Sequence, residues 1–208
     1  MQMQSQSKEP FIYLASQSPR RSQLLEQIGV AHQILVADAT EAEAAEALEI
    51  ALKNEAPLTY VKRVTALKLD AAVARMQQRS LPSAPVLCAD TTVAMGRIIY
   101  GKPENEKDAV RMLTELSGQT HRVLTAVAVA YGANSKKRLQ LVSESKVTFD
   151  KLSKAQIAEY VASGEPMGKA GSYAVQGRAA MFIRHISGSY SGIMGLPLYE
   201  TAQLLKRL

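Results

Sequence analysis

One stretch constrains the fold of this chain more than any other: Ile12-Tyr-Leu-Ala-Ser-Gln-Ser-Pro-Arg-Arg-Ser-Gln-Leu-Leu-Glu-Gln-Ile-Gly29. Ile12 to Ala15 is an apolar run of the length a buried strand needs, and Ser16 to Ser18 is a turn. A helical pattern follows, with Leu24, Leu25 and Ile28 on one face. Ser18 suits the N-cap, where its hydroxyl can accept from an early backbone N–H. Pro19 falls at the first helical position, where it lacks only a donor that has no partner anyway, and Gly29 suits the C-cap. Arg20 and Arg21 then stand in the first turn, each opposing the helix macrodipole by roughly 0.3–1 kcal/mol. A bound anion removes that conflict. Strand, Ser-x-Ser-Pro turn and helix in this register therefore predict a phosphate site rather than two solvated arginines.

The rest of the chain alternates short apolar strands with amphipathic helices, which predicts a mixed α/β protein. Ala31 to Ala37 reads as a strand. Asp38 to Ala56 is rich in Ala and Glu, and most of its acids (Glu43, Glu46, Glu49) fit a solvated helix face. Glu41, just after a strand end, is the one with a route into a cleft. Pro57 to Arg79 is the longest helical pattern, with Tyr60, Val64, Leu67, Ala71 and Ala74 as its apolar stripe. Lys68 lies on the border of that stripe, where it either snorkels to water or meets a buried phosphate. Val86 to Ala89 is a short buried strand that runs into Asp90, Thr91 and Thr92, and strand ends of this kind form the mouths of α/β sites. A hairpin over Val93–Met95 and Ile98–Tyr100 is expected next.

Gly96-Arg-Ile-Ile-Tyr-Gly-Lys-Pro103 falls short of a P-loop, because no Ser or Thr follows the lysine and proline stands there instead. Lys102 remains a phosphate contact just ahead of the helix over Glu104–Leu116, which Gly118 stops. His121–Ala130 and Leu139–Phe149 read as paired strands joined by a turn over Asn134–Lys137. Ser153-Lys-Ala-Gln156 is a capping box opening a helix that ends at Gly164. The segment Glu165 to Gly177 carries Gly168, Gly171 and Gly177 together with Lys169 and Gln176, a loop whose backbone can approach a ligand. Gln176 has the donors and acceptor to read a base edge. A strand over Ala179–Ile186, a turn over Gly188–Gly192 and a helix over Leu198–Leu208 complete the pattern.

Bulk properties exclude several classes. With 208 residues and one Cys, Cys88, there is no disulfide framework, and a reducing cytoplasm is expected. The start, Met1 to Lys8, is polar and unlike a signal peptide, so residues 1–10 are expected to be a flexible segment before a single domain over 11–208. No stretch reaches the roughly 20 apolar residues of a membrane span. The net charge of +6 is spread along the chain without a basic run or an aromatic stacking strand, which favours free polyphosphates over nucleic acid. His32, His121 and His185 lack zinc-ligand spacing and are taken as structural.

Leu14-Ala-Ser-Gln-Ser-Pro-Arg-Arg-Ser-Gln-Leu-Leu25 resembles the N-terminal signature of the Maf family of nucleotide pyrophosphatases. The resemblance extends to about Leu205 through Ala89-Asp-Thr91, Gly101-Lys-Pro103, Leu116-Ser-Gly-Gln-Thr-His121, Lys169-Ala-Gly-Ser-Tyr173, Gln176-Gly177 and Gly195-Leu-Pro197. It implies a mixed, elongated sheet flanked by helices, with two lobes around a central cleft, as in inosine triphosphatases. It also implies cleavage of nucleoside triphosphates between the α and β phosphates with a divalent cation, Mg2+ or Mn2+. Carried over by position, Asp90 is the general base, and Arg20, Lys68 and Lys102 hold triphosphate charge with Arg21, Ser16 and Lys169 in support. Glu41, with Asp90, helps place the metal or the phosphates, and Arg20, Thr91 and Gln176 set base preference. Tyr173 through Gln176-Gly177 looks like the branch that prefers dTTP and UTP, and a homodimer is implied as possible. Gly168 departs from the Asp usual in that branch, which puts full activity in doubt. The alternatives are a relative acting on 7-methyl-GTP, or a non-catalytic nucleotide-sensing regulator of septum formation.

Overall fold

The computed structural model describes residues 11–131 and 137–207. Its strands are β1 (Ile12–Leu14), β2 (His32–Ile34), β3 (Val86–Met95), β4 (Ile98–Tyr100), β5 (Thr120–Ala130), β6 (Arg138–Phe149) and β7 (Ile183–Ser187). They form one sheet in the order β2-β1-β3-β5-β6-β7, with β4 paired to β3. The β2/β1 and β1/β3 pairs are parallel, and all the others are antiparallel. The helices are α1 (Pro19–Gln27), α2 (Ala42–Ala47), α3 (Pro57–Gln78), α4 (Glu106–Leu116), α5 (Lys154–Ala162), α6 (Tyr190–Met194) and α7 (Leu198–Leu205). The segment 1–10 and most of the turn over Asn134–Lys137 lie outside the described residues.

Strand alternation decides which helix each residue of β3 meets. Val86 and Cys88 pack against Leu69, Ala72, Val73 and Met76 of α3 on one face. Leu87 and Ala89 pack against Leu24 and Leu25 of α1 and Leu204 of α7 on the other. Continuing the alternation, Asp90 falls on the α3 face and Thr91 on the α1 face. Farther along the sheet, α4 and α5 cover Val123, Val147 and Phe149 with Met112, Leu113, Ile157 and Tyr160, a second core.

Several elements differ from expectation. Asp90 is not at a strand end but inside a ten-residue strand, paired across to Ala126 of β5. The opposite edge of β3 explains why a cleft opens there all the same. On that edge β1 pairs with Val86 and Leu87 and β4 from Val93 to Met95, so among the described residues no strand lies there beside the residues between. The acidic stretch after β2 yields only the six-residue α2, which buries nothing, because its Ala and Glu residues supply helix propensity without an apolar face to dock. In α3 the buried stripe runs through Val61, Thr65, Leu69, Ala72 and Met76, while Leu67 is exposed. Ala179 lies in a 3-10 turn (Arg178–Phe182) ahead of β7, and the expected turn at Gly188–Gly192 contains the start of α6. The capping box at Ser153 and Gln156 forms as expected.

Candidate active site

The gap beside β3 opens into a cleft of about 520 Å³. Its first wall is the turn from β1 into α1. Ser18 occupies the N-cap position, but its hydroxyl caps nothing. Ser16 organises the turn instead: its Oγ accepts from the amide of Ser18 at 3.1 Å and from Arg21 Nη1 at 3.0 Å. With no side chain capping α1, the helix start stays open to an outside acceptor.

Arg21 Nε donates to the carbonyl of Gly195 at 2.7 Å, and Arg20 Nε lies 3.4 Å from that of Met194. These carbonyls, at the C-terminal end of α6, relieve part of the conflict that the sequence places at the start of α1. Lys169 Nζ donates to the Glu165 carbonyl at 2.6 Å. Among the described residues, no carboxylate pairs with Arg20, Arg21 or Lys169. Burial, and after it the charge of Arg21, lowers the pKa of Arg20. Burial, and after it Arg20, lowers that of Lys169. The Glu165 charge acts the other way on Lys169, so crowded positive charge with little opposing carboxylate lines this wall.

The second wall brings two carboxylates onto one lysine. Lys68 Nζ, on the sheet-facing side of α3, donates to Asp90 Oδ1 at 2.6 Å and to Glu49 Oε1 at 2.7 Å. Lys102 Nζ donates to the other oxygen of Glu49 at 2.8 Å. Burial acts against the Lys68 ammonium, yet Asp90 and Glu49 outweigh it and its pKa rises. Burial likewise acts against the Glu49 carboxylate, and Lys68 and Lys102 outweigh it, so its pKa falls. Tyr60 closes the back of this cluster. Its hydroxyl donates to the Glu49 carbonyl at 2.9 Å, and burial with the nearby Asp90 and Glu49 charges raises its pKa to about 12.

Ser16, Arg20, Arg21, Lys68, Asp90, Thr91, Lys102, Lys169 and Gln176 all border this cleft. Thr91, facing away from Asp90, shares a hydrogen bond with Thr125 at 2.9 Å, and Thr125 donates to the Gly192 carbonyl at 2.7 Å. Gln176 is exposed, on the part of the loop that borders the cleft. Glu41 is the exception. It accepts from Arg75 Nε at 3.0 Å and Arg79 Nη2 at 2.7 Å, and it does not border the cleft. The guanidiniums of Arg75 on α3 and of Arg79 at its C-cap hold it there, so the carboxylate beside Asp90 is Glu49. The sequence offered no signal to prefer Glu49, since it is one of several acids in the run and lies just past the end of α2. Tyr60 was visible only as a stripe residue.

Gly168 has φ +71° and borders the cleft, and a Cβ there meets nothing within 4 Å. Among the described residues no three His, Cys, Asp or Glu side chains gather as a metal cage. No helix among them is long and apolar enough to cross a membrane.

A family model described as Maf-like protein matches residues 11–208. A protein of Albidiferax ferrireducens called dTTP/UTP pyrophosphatase is 66% identical over 94% of this chain and 96% of its own length. One of the same description from a Polaromonas species is 64% identical over 94% and 95%. Among solved structures, a HAM1 protein from Coxiella burnetii aligns with a TM-score of 0.50 at 13% identity, covering 96% of this chain and all of that one, a likeness of fold.

Proposed function

The chain belongs to the Maf-like protein family, and from that premise we infer that it is a nucleoside triphosphate pyrophosphatase hydrolysing dTTP and UTP. The observation that carries this reading is the division of one cleft into two kinds of wall. Arg20, Arg21 and Lys169 offer positive charge with no carboxylate partner. Asp90 and Glu49 face them as acceptors, with Lys68 between.

In the proposed reaction water attacks the α-phosphorus while the bond from that phosphorus to the bridging oxygen of the β-phosphate breaks. Pyrophosphate leaves with the electron pair, and the nucleoside monophosphate remains. Asp90 takes the proton from the attacking water. Lys68 is bonded to Oδ1, and among the described residues nothing donates to Oδ2, so one oxygen is free for this task. Lys68, Lys102 and Arg20 stabilise negative charge on the phosphates as it shifts toward the leaving group. Gln176 and Thr91, with Arg20, select the base.

A divalent cation fits the donor set. Asp90 and Glu49 are hard oxygen ligands held on a common lysine, and two carboxylates completed by substrate phosphates and water is the usual habit of Mg2+. When bound, the cation supplies charge neutralisation for the triphosphate. A cytoplasmic setting among free nucleotides is part of this proposal, and buried, unpaired Cys88 supports it.

The test is pyrophosphate release from dTTP, UTP, CTP, GTP and 7-methyl-GTP, with Mg2+ or Mn2+, for the wild type and Asp90→Asn. Release from dTTP and UTP above the others is expected. Asp90→Asn should lose roughly 10²–10⁴-fold, the usual worth of a general base, with its melting profile intact. Near-normal turnover in that variant removes Asp90 from the role, and preferred release from a purine triphosphate overturns the substrate assignment.

A further inference from the structure

His121 does not border the cleft, yet it has an unusual set of surroundings. It lies in β5 at 1% exposure, opposite Val147 of β6. Its Nε2 shares a hydrogen bond of 2.9 Å with the hydroxyl of Tyr173. Its ring stands edge-on to Phe149 at 4.9 Å and to Tyr173 at 5.4 Å, and those two stand 4.9 Å from one another. Its Nδ1 is buried without a partner. A polar ring placed where half its hydrogen-bonding capacity is lost is poor core material, and an apolar ring would pack there at less cost. What the imidazole gains in return is one bond, to Tyr173.

Tyr173 is where that bond matters for the reaction. It follows a 3-10 turn (Ala170–Ser172) in which Gly171 and Ser172 have φ of +67° and +63°. A serine in the left-handed region carries a strain of order 1 kcal/mol, which persists only when the surroundings fix it. Gly171 packs so closely on Val93 of β3 that a Cβ would come within 2.8 Å, and its amide donates to the carbonyl of Gly101, beside Lys102. The turn is thus fastened at one end to the strand that bears Asp90. Beyond it the chain continues through Ala174 and Val175 to Gln176 along the cleft wall. That second half has the Tyr173 ring as its root.

We propose that His121 is a positioning residue for base recognition. Through the hydrogen bond to Tyr173 it fixes the 173–176 segment, and with it the place of Gln176. This deepens the pyrimidine triphosphate reading and rests on it.

The experiment compares wild type, His121→Phe, His121→Gln, Tyr173→Phe and the His121→Phe/Tyr173→Phe pair. It reads kcat and KM for dTTP, UTP and GTP, and amide exchange of residues 169–177. Phe keeps the ring and removes the bond. Gln places an amide nitrogen where Nε2 stood. In His121→Phe the KM for dTTP and UTP should rise about tenfold, the scale of one lost hydrogen bond, with kcat within about twofold. Preference over GTP should narrow, and amides 173–177 should exchange faster while α4 and α5 keep their protection. His121→Gln should recover most of the loss. The double variant should be no worse than Tyr173→Phe, since both remove the same bond. Unchanged KM and selectivity in folded His121→Phe overturns the proposal, as does damage confined to kcat or to melting temperature. If the wild type releases pyrophosphate from neither dTTP nor UTP, the activity reading fails by itself, and the exchange pattern still decides whether His121 fixes the segment.

Discussion

Glu41 and Glu49 show how far a residue's role depends on partners that sequence spacing does not reveal. Both are acids in one short run, and the one nearer the strand had the better route to a cleft. Arg75 of α3 and Arg79 at its C-cap claim Glu41, and two lysines from different elements meet at Glu49. Glu49→Gln is therefore expected to lower turnover on the order of 10²-fold, the loss of one charge from a preorganised site. Glu41→Gln should leave kcat close to wild type. Steady-state kinetics on the two variants checks this, and the reverse order would restore Glu41 to the site. That Asp90 and Arg20 border the cleft was legible, by contrast, because a carboxylate at the expected end of an apolar strand and a cation at a helix start each contradict local preference. His121 obeys a different logic, and its pKa has a consequence for stability. Burial lowers it to about 4, below the ordinary 6.5, so the unfolded chain binds a proton that the folded one refuses. That contribution is complete above pH 6.5 and is lost as the pH falls toward 4. Urea unfolding should show His121 weakening the fold by ~2 kcal/mol between pH 7 and pH 5, a slope that His121→Phe removes. Equal slopes in the two proteins would refute it.

Elements were readable where an apolar period ran long enough to decide them. The extent of the 22-residue α3 and the capping box of α5 follow from their patterns, although the buried stripe of α3 runs through other residues than the pattern picked. So do β5, through its apolar run, and β6, through its alternation around Leu141, Val147 and Phe149. The boundaries of β3 were not readable, because a strand that loses a neighbour on one edge keeps its pairing on the other. Sequence registers the polar residues of the gap but not the continuity of the strand behind them. The segment from Glu165 to Gly177 was recognised by its glycines, while what each glycine does is set by tertiary contacts. At Gly171, φ is +67° and Val93 leaves no room for a methyl group, whereas Gly168 has φ +71° and open space. Gly171→Ala should thus cost about 2–4 kcal/mol from combined strain and overpacking, against roughly 1 kcal/mol for Gly168→Ala. Denaturant midpoints for the two variants test the difference, and comparable losses would mean that Val93 yields more easily than its packing suggests.

At the scale of the whole molecule, the net charge of +6 and the cations around the cleft act together on a polyanionic substrate. The KM for dTTP should rise several-fold from 20 to 200 mM NaCl as the Debye length shrinks, from about 20 Å toward 7 Å, while kcat stays level. A KM indifferent to salt would show that contacts alone, without long-range attraction, bring the nucleotide in. Strand order and the assignment of helices to faces were out of reach from sequence, since local periodicity carries no information about which distant segments pair. The alternation along β3 has a last consequence. Asp90 hangs from a long stretch of continuous pairing, with β5 beside it from Val86 to Ala94. Gln176 belongs to a rim that borrows its shape from single bonds and close packing. On the proposed reading, the carboxylate that serves bond cleavage stands on this paired floor, and the amide of Gln176 that reads the base stands on the rim. If Gln176 reads the base as proposed, a substitution confined to the rim is expected to retune which nucleotide is accepted while leaving the floor beneath Asp90 as it is.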